Sequence, residues 1–226
     1  MRSAAVTYAV IIPARIDSQR LYSKILAVYS ADTPNLEQVI ARWRTSRRSP
    51  EIIIATGQEL ENDPIELLCQ RVGVICHRDA RPLAGQRMVG AVATVPVAQW
   101  IARGMADNPL VDIGLADWRL DMLRESGAEG LHYGGDHSRI TYAGTTDVWS
   151  RSAWEKIAQM SSGSQVEHPG AYYWDNLSQF RTVRIPFPAR EYLLPIRTEL
   201  DPEQDLEMFT ALWAAWDSPH RQIPTH

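Results

Sequence analysis

The chain has little cysteine, no long apolar run and no strong excess of charge of either sign. Its two cysteines, Cys69 and Cys76, have six residues between them, a spacing that suits neither a zinc site nor a disulfide framework. They are predicted to be reduced core thiols, as in a reducing compartment. No stretch approaches the ~20 apolar residues of a membrane span, and residues 2–7 lack the apolar core of a signal peptide. We therefore expect a cytoplasmic protein.

The small charge excess argues against two classes of partner. A formal net charge of −4 and a pI near 5.9 give no reason to expect a nucleic-acid-binding or membrane-binding surface. Basic residues cluster locally instead, which indicates a site rather than a broad field.

Strand and helix patterns alternate along the chain through residue 125, which is typical of parallel βαβ units. The 226 residues suit one large α/β domain, since a domain commonly has about 100–200 residues. The predicted strands are 10–13, 51–55, 74–76, 99–103, 146–150 and 179–186. The predicted helices are 36–45, 63–72, 85–95, 117–125, 152–160 and 202–216. Residues 130–200 are richer in glycine, tyrosine, histidine and proline, and are predicted to form a substrate-selecting lobe.

An apolar run at residues 9–14 leads directly into a cluster of cations. Arg15, Arg20 and Lys24 follow it, together with the hydroxyl of Ser18. Arginine donates forked hydrogen bonds and lysine offers a compact charge, so a loop of this content suits a polyphosphate. Ligands also commonly bind at the carboxyl ends of strands in open α/β sheets. The residues alone leave a second interpretation open, a solvated surface loop with scattered charges.

The same segment resembles the opening motif of the cytidylyltransferases, I-P-A-R-x-x-S-x-R-L-P-G-K-x-L. This family includes the CMP-3-deoxy-manno-octulosonate synthetases and the spore-coat polysaccharide type, and in it the loop surrounds the triphosphate of CTP. The matching positions are Pro13, Ala14, Arg15, Ser18, Arg20, Leu21, Lys24 and Leu26. Tyr22 and Ser23 replace the Pro-Gly of the motif, and loss of that glycine is expected to stiffen the loop. Asp17 adds a carboxylate, which repels a triphosphate unless it binds metal or faces away.

Further matches follow in the same order over most of the chain. Residues 52–57 resemble the family's second strand, which ends in A-T beside the nucleotide base, and residues 63–74 resemble its next helix and strand. Arg87 lies where the family has a basic residue on the following helix. Residues 103–112 resemble R-x-T-G-D-x-P-L-I-D, with Ala106 in place of the glycine.

Two matches lie in the second half of the chain. Residues 167–181 resemble an E-H-x-T-x-Y region near the acceptor pocket, with Gly170 in place of the threonine. Residues 197–206 resemble R-x-T-V-D-T-x-E-D-L.

The resemblance implies a three-layer Rossmann-like fold of the nucleotide-diphospho-sugar transferase (GT-A) type. That fold is α/β, with a mostly parallel mixed sheet and helices on both faces. One nucleotidyltransferase domain would span 1–226, with a nucleotide-binding part at 1–125, an acceptor-binding lobe at 130–200 and a terminal helix at 201–216. The implied activity is transfer of CMP from CTP to an acidic sugar, or to a related acid or phosphonate, with release of pyrophosphate.

The resemblance also implies site residues. The nucleotide-binding residues are Pro13, Ala14, Arg15, Ser18, Arg20, Lys24, Ala55, Thr56, Arg87 and Arg103. Arg15 and Lys24 are the catalytic pair among them. The acceptor-binding residues that it implies are Glu167, His168 and Arg197. Arg139 is added to them from its residue type, because an arginine in a polar, aromatic loop can pair with an acceptor carboxylate.

Asp107 and Asp201 are the predicted magnesium ligands. Both are expected at the ends of elements, and magnesium usually takes one or two carboxylates together with phosphate and water. From local sequence alone, Asp107 also suits a turn before a proline, and Asp201 suits a plain helix N-cap. The resemblance favours metal ligation for both.

Two rival functions remain open. A nucleotide-binding relative with weak or absent catalysis is favoured by Asp17, Tyr22, Ser23 and Ala106, which stand where the family has small or flexible residues. A glycosyltransferase of related architecture would use a ready-made nucleotide sugar, but the chain lacks a convincing D-x-D metal pair. The expected partners are CTP, a small anionic acceptor and a second copy of the chain, with residues 172–174 as the dimer face.

Overall fold

The apolar run near the amino terminus forms the middle of a mixed sheet. β1 (Tyr8–Pro13) lies between β2 (Glu51–Gly57) and β4 (Trp100–Arg103), and it pairs with both in parallel. Every residue of β1 before Pro13 is buried. A strand covered by helices on both faces needs apolar side chains on both, which explains the continuous run in place of an alternating pattern.

The remaining strands extend the sheet on both sides of β1. They are β3 (Ile75–Asp79), β5 (Gly130–Tyr133), β6 (Asp147–Ser150) and β7 (Thr182–Ile185). Among the described residues the sheet has seven strands in the order β3-β2-β1-β4-β6-β5-β7. Only the pairings of β6 with β4 and β5 are antiparallel, so the predicted mostly parallel α/β architecture is confirmed.

Helices cover both faces of this sheet. They are α1 (Asn35–Trp43), α2 (Asp63–Val72), α3 (Ala84–Ala93), α4 (Ile113–Ser126), α5 (Arg151–Met160), α6 (Ser164–Glu167), α7 (Ala171–Asp175) and α8 (Glu203–Ala215). Val10 and Ile12 of β1 pack with apolar residues of α1, α2 and α4. Ala9 and Ile11 point to the other face, where they pack with residues of α3, α5 and α7. Burial of these two apolar layers is the main term that stabilises the sheet.

The structure is a computed structural model. It describes residues 8–17, 22–29, 32–133, 146–168, 170–185, 198–201 and 203–215. Four of the predicted site residues, Ser18, Arg20, Arg139 and Arg197, lie outside these ranges. Within the described ranges, no helix combines the length and the apolar character that crossing a membrane requires.

Two details differ from the sequence prediction. α4 begins at Ile113, before the predicted start at residue 117, because the Asp112 side chain accepts a hydrogen bond from the backbone N–H of Leu115 and caps the helix there. The short strand β5 and the short helices α6 and α7 had no predicted counterpart. They are too short for a periodic pattern, and packing rather than local preference forms them.

The predicted dimer face at residues 172–174 is wrong. Tyr172 and Tyr173 are buried within the monomer. Tyr173 packs edge-on against Trp149 with ring centroids 6.1 Å apart, and its hydroxyl donates a 2.6 Å hydrogen bond to the carbonyl of Leu131. The aromatic cluster therefore belongs to the core between α7 and the sheet.

Candidate active site

A cavity of about 450 Å³ opens where β1 and β4 end. Its walls come from the loop after β1, the first turn of α3, the loop after β4, the end of α6 and residue 199. Four basic side chains line it, and they are Arg15, Lys24, Arg87 and Arg103. Three acidic ones line it too, and they are Asp107, Glu167 and Glu199. The mixture suits a ligand that carries several negative charges together with a cation.

Lys24 contacts two carboxylates at this cavity. Its Nζ lies 2.6 Å from Oδ2 of Asp107 and 2.7 Å from Oδ1 of Asp201. Burial disfavours the charged ammonium, but the two carboxylates outweigh that effect and raise the pKa of Lys24 above its ordinary value. Lys24 is therefore a protonated lysine that neutralises part of the charge of both acids.

A tight turn presents Lys24 to the carboxylates. The backbone N–H of Ser23 donates to the carbonyl of Ile16 across 2.9 Å, and a single turn of 3-10 helix follows at Lys24–Leu26. Ser23 has φ 58° and ψ 19°, a left-handed conformation that a glycine adopts at little cost. This geometry accounts for the glycine in the motif that the segment resembles, and it places a strained serine beside Lys24.

Backbone contacts bring the two aspartates together from distant parts of the chain. The N–H of Leu200 donates a 2.7 Å hydrogen bond to the carbonyl of Asp107. The buried Asn35 side chain donates to the carbonyl of Ala106 across 2.7 Å and so holds the preceding loop against α1. The backbone N–H of Asp201 is bound by the Asp205 carboxylate at 2.9 Å. The Asp201 carboxylate itself accepts from Lys24 Nζ at 2.7 Å, which makes Asp201 part of the site.

The two aspartates suit a magnesium ion. Both contact one ammonium nitrogen, so their oxygens already converge on a cation, and carboxylate oxygens are the donors that magnesium prefers. Across the described ranges, no group of three or more histidine, cysteine, aspartate or glutamate side chains is arranged to hold a metal. A pair of carboxylates fits an ion that takes its other ligands from phosphate and water. The arrangement is therefore suited to a metal that arrives with a nucleotide.

Glu199 is a cavity residue that the sequence analysis missed. Burial, with Asp107 next in effect, raises the pKa of Glu199 to about 7. Its Oε1 atom is buried and has no hydrogen-bond partner in the described part of the chain. The signal that could have found it is the match to R-x-T-V-D, in which Glu199 replaces the threonine two positions before Asp201.

The arginines approach the cavity in different ways. The half-exposed Arg15 pairs with Asp17, with 3.4 Å between Nε and Oδ1. Arg87 is buried, and its guanidinium donates to the carbonyl of Pro82 across 2.5 Å. Burial, and then the nearby charge of Arg15, lowers the pKa of Arg87. Arg15 and Arg87 therefore repel each other, and a bound anion would reduce this repulsion.

Close packing of α3 and α6 places Glu167 beside Arg87. A Cβ atom at Gly85 would lie 2.3 Å from the carbonyl oxygen of Val166, so only glycine permits this approach. Glu167, the residue after Val166, lines the cavity, and its charge opposes the lowering of the Arg87 pKa.

Comparison with known proteins identifies the family. A profile of the cytidylyltransferase family matches residues 9–207, which include the whole cavity lining. The chain belongs to the cytidylyltransferase family. It is thus a cytidylyltransferase enzyme, as the resemblance implied.

Other proteins resemble this chain over most of its length. The uncharacterized protein MJ1063 of Methanocaldococcus jannaschii is 28% identical over 210 residues, which cover 92% of this chain and 83% of that protein. A cytidylyltransferase structure from Leptospira borgpetersenii superposes with a TM-score of 0.81 at 23% identity, covering 94% of this chain and 89% of the other. A CMP:2-keto-3-deoxy-manno-octonic acid synthetase complexed with CTP gives a TM-score of 0.69 at 16% identity, covering 93% and 99%. The likeness to these solved structures establishes the fold.

Within this cytidylyltransferase, the structure brings together eight of the predicted site residues. Pro13, Ala14, Arg15, Lys24, Arg87, Arg103, Asp107 and Glu167 all line the cavity. Asp201 joins them through Lys24.

Three predicted residues lie apart from the cavity lining. Ala55 and Thr56 are completely buried within β2, and the Ala55 carbonyl accepts a 3.0 Å hydrogen bond from the backbone N–H of Ala14. Ala55 therefore holds the start of the loop after β1 against β2 through this backbone hydrogen bond. His168 is exposed at the end of α6.

Proposed function

We propose that this cytidylyltransferase binds CTP with magnesium in the cavity and transfers CMP to a small anionic acceptor, with release of pyrophosphate. The observation that carries the proposal is the contact of Lys24 with both Asp107 and Asp201 at 2.6 and 2.7 Å. One cation and two carboxylates meet there, in a cavity that three arginines also line. A nucleoside triphosphate with a divalent ion supplies the matching charges.

The reaction needs positioning and charge stabilisation more than covalent chemistry. An oxygen of the acceptor attacks the α-phosphorus of CTP, a new O–P bond forms, and the bond to the β-phosphate oxygen breaks so that pyrophosphate leaves. Arg15, Lys24 and Arg87 bind the triphosphate oxygens and stabilise the charge that builds on the leaving group. Pro13 and Ala14 shape the nucleotide side of the cavity.

Asp107 and Asp201 hold the metal in this proposal. Bound magnesium would supply neutralisation of phosphate charge. Without it, the Lys24 ammonium keeps the two carboxylates from repelling each other. Lysine carries three N–H donors, so Lys24 can turn toward phosphate oxygens when a second cation reaches the carboxylates.

The acceptor is proposed to be an acidic sugar, or a related acid or phosphonate. Glu167 and His168 at the end of α6 are the described residues assigned to it. Arg197, from the sequence resemblance, and Arg139, from its residue type in a polar loop, complete the assignment. An anionic acceptor gains from the arginine-rich lining, because charge-assisted hydrogen bonds to arginine are about twice as strong as neutral ones.

Pyrophosphate release tests the function directly. The enzyme is incubated with CTP, magnesium and a panel of acidic sugars, sugar phosphates and phosphonates, with ATP, GTP and UTP as nucleotide controls. We expect release with CTP and with a subset of the acceptors, and loss of release in Asp107→Asn. Absence of both CTP binding by calorimetry and pyrophosphate release would remove the proposal.

A second candidate is a relative that binds CTP without efficient transfer. The pairing of Asp17 with Arg15 and the left-handed Ser23 favour it, since both alter the loop assigned to the triphosphate. Calorimetric binding of CTP without pyrophosphate release from any acceptor in the panel would support this candidate over the first.

A cytoplasmic location is part of the proposal, and it is supported by Cys69 and Cys76, which are both free thiols. We also retain a homodimer as a proposal without an assigned face. Sedimentation of the purified protein at several concentrations tests it.

A further inference from the structure

We propose that Asp147 is a positioning residue that orients Arg103 toward the phosphate groups of CTP. The proposal rests on the function assigned above, and it concerns a residue that neither the sequence nor the family match had selected. Asp147 does not line the cavity, whereas Arg103 does. Its influence on a ligand must therefore pass through Arg103.

Sheet register places the two side chains together. β4 and β6 pair in antiparallel register with Arg103 directly opposite Asp147. Residues opposite each other in an antiparallel pair project from the same face of the sheet. The closest nitrogen of Arg103 lies 3.8 Å from Oδ2 of Asp147, and both side chains are largely withdrawn from solvent. This separation is longer than a hydrogen bond, so Asp147 acts on Arg103 through its charge.

The Asp147 carboxylate is itself held in place from other elements. The side chain of Trp174 in α7 donates a hydrogen bond to it, and the charge of Arg119 in α4 also acts on it. Arg119 is completely buried and donates a 3.1 Å hydrogen bond to the carbonyl of Thr146, the residue before Asp147. Gly170 lies beside the carboxylate, since a Cβ there would be in van der Waals contact with Oδ2 of Asp147 at 3.4 Å.

A fixed carboxylate beside a cavity arginine lowers the entropic cost of binding a phosphate there. An arginine side chain loses rotational entropy when it is ordered. A fixed anion already restricts the guanidinium, so less side-chain entropy is lost when a phosphate binds. The burial of Asp147 raises its pKa to about 6, with Arg103 and Arg119 opposing that rise. Asp147 therefore keeps its charge at neutral pH and loses it in mild acid.

Calorimetric binding of CTP with magnesium tests the proposal across pH 5 to 8. We expect Asp147→Asn to bind about tenfold more weakly than the wild type at pH 8, since Arg103 is no longer oriented. The difference should vanish near pH 5, where Asp147 of the wild type is also neutral. Protonation of CTP itself affects both proteins equally and cancels in the ratio. A merely structural role for Asp147 would lower the melting temperature without producing this pH-dependent ratio.

Further variants separate the possible outcomes. Arg103→Ala should weaken binding, and Asp147→Asn added to it should have no further effect. Trp174→Phe removes the hydrogen bond to Asp147 together with part of the packing against Tyr173. It should weaken binding less than Asp147→Asn, because Asp147 keeps its charge, and it provides a second test if Asp147→Asn fails to fold. Glu129→Gln is the matched control. Glu129 lies 3.6 Å from Nε of Arg181, and neither residue lines the cavity. This variant should bind CTP with the affinity of the wild type.

Equal affinity of Asp147→Asn and the wild type at pH 8, or an affinity ratio that does not change with pH, would overturn the role of Asp147 while leaving the proposed function intact. A wild type that binds no CTP with magnesium would instead overturn the proposed function, and this inference with it.

Discussion

Lys24 and Asp201 are 177 positions apart in the chain, yet 2.7 Å separates Nζ of one from Oδ1 of the other. The contact joins the loop after the first strand to the segment before the last described helix. A lysine that bonds one buried and one partly buried carboxylate cannot be exchanged without leaving charge uncompensated. This relationship therefore ties the stability of the fold to the candidate site.

Replacing Lys24 with alanine should destabilise the protein and abolish transfer. Removing one partner of a buried ion pair costs about 3–5 kcal/mol, so thermal unfolding should occur several degrees lower. Magnesium should raise the melting temperature of Lys24→Ala more than that of the wild type, because a divalent ion can replace the ammonium between the carboxylates. Lys24→Arg keeps the charge and is the control. An unchanged melting temperature with no response to magnesium would show that the carboxylates do not share a cation.

Removing the negative charge of Asp17 should strengthen CTP binding. Asp17 lies 3.4 Å from Nε of Arg15, and both side chains are about half exposed. An exposed ion pair contributes about 0.2–1 kcal/mol, so Asp17→Asn should lower the Kd for CTP by a factor of about 1.4 to 5. Glu61→Gln removes an exposed carboxylate elsewhere and should leave the Kd unchanged. Weaker binding by Asp17→Asn would mean that Asp17 serves the nucleotide rather than opposing it.

Neutralising Glu199 should stabilise the metal-free protein in a pH-dependent way. The pKa of Glu199 is raised to about 7, so the folded state holds its proton more tightly than the unfolded state does. Its favourable contribution is complete below the ordinary glutamate pKa and is lost as the pH rises through about 7. Glu199→Gln should therefore unfold several degrees above the wild type at pH 8, and at the same temperature near pH 4.5. Scans in EDTA measure this, and a pH-independent difference would refute it.

Alanine at Gly170 should destabilise the protein more than alanine at Gly73. Both glycines have positive φ, 98° at Gly170 and 69° at Gly73. A Cβ at Gly73 meets nothing within 4 Å, so Gly73→Ala carries only the left-handed backbone cost of about 1–2 kcal/mol. A Cβ at Gly170 lies 2.8 Å from the ring of the buried Trp149, which adds steric overlap. Urea unfolding measures the free energy of unfolding of both variants. Equal decreases would mean that the aromatic side chains around Gly170 rearrange to accept a Cβ at little cost.

Much of the fold could be predicted because its signals are local. β1 and β2 are continuous apolar runs, and α2 ends at Val72 because the next residue, Gly73, has a positive φ that terminates a helix. The cavity lining could be proposed because Arg15, Arg87 and Asp107 stand in motifs of one family. The burial of Tyr173 could not be predicted, because an aromatic segment looks the same in a sequence whether its partner is the core or a second subunit.

The sequence by itself determined the order of the strands and helices along the chain and the chemical groups available for a phosphate and a metal. Periodicity and residue type carry that information, since each depends on near neighbours. Only the tertiary structure decided that Lys24 sits between Asp107 and Asp201, that Glu199 joins them, and that Asp147 stands opposite Arg103. Strand pairing and loop packing between distant residues produce these contacts, and no local pattern encodes them.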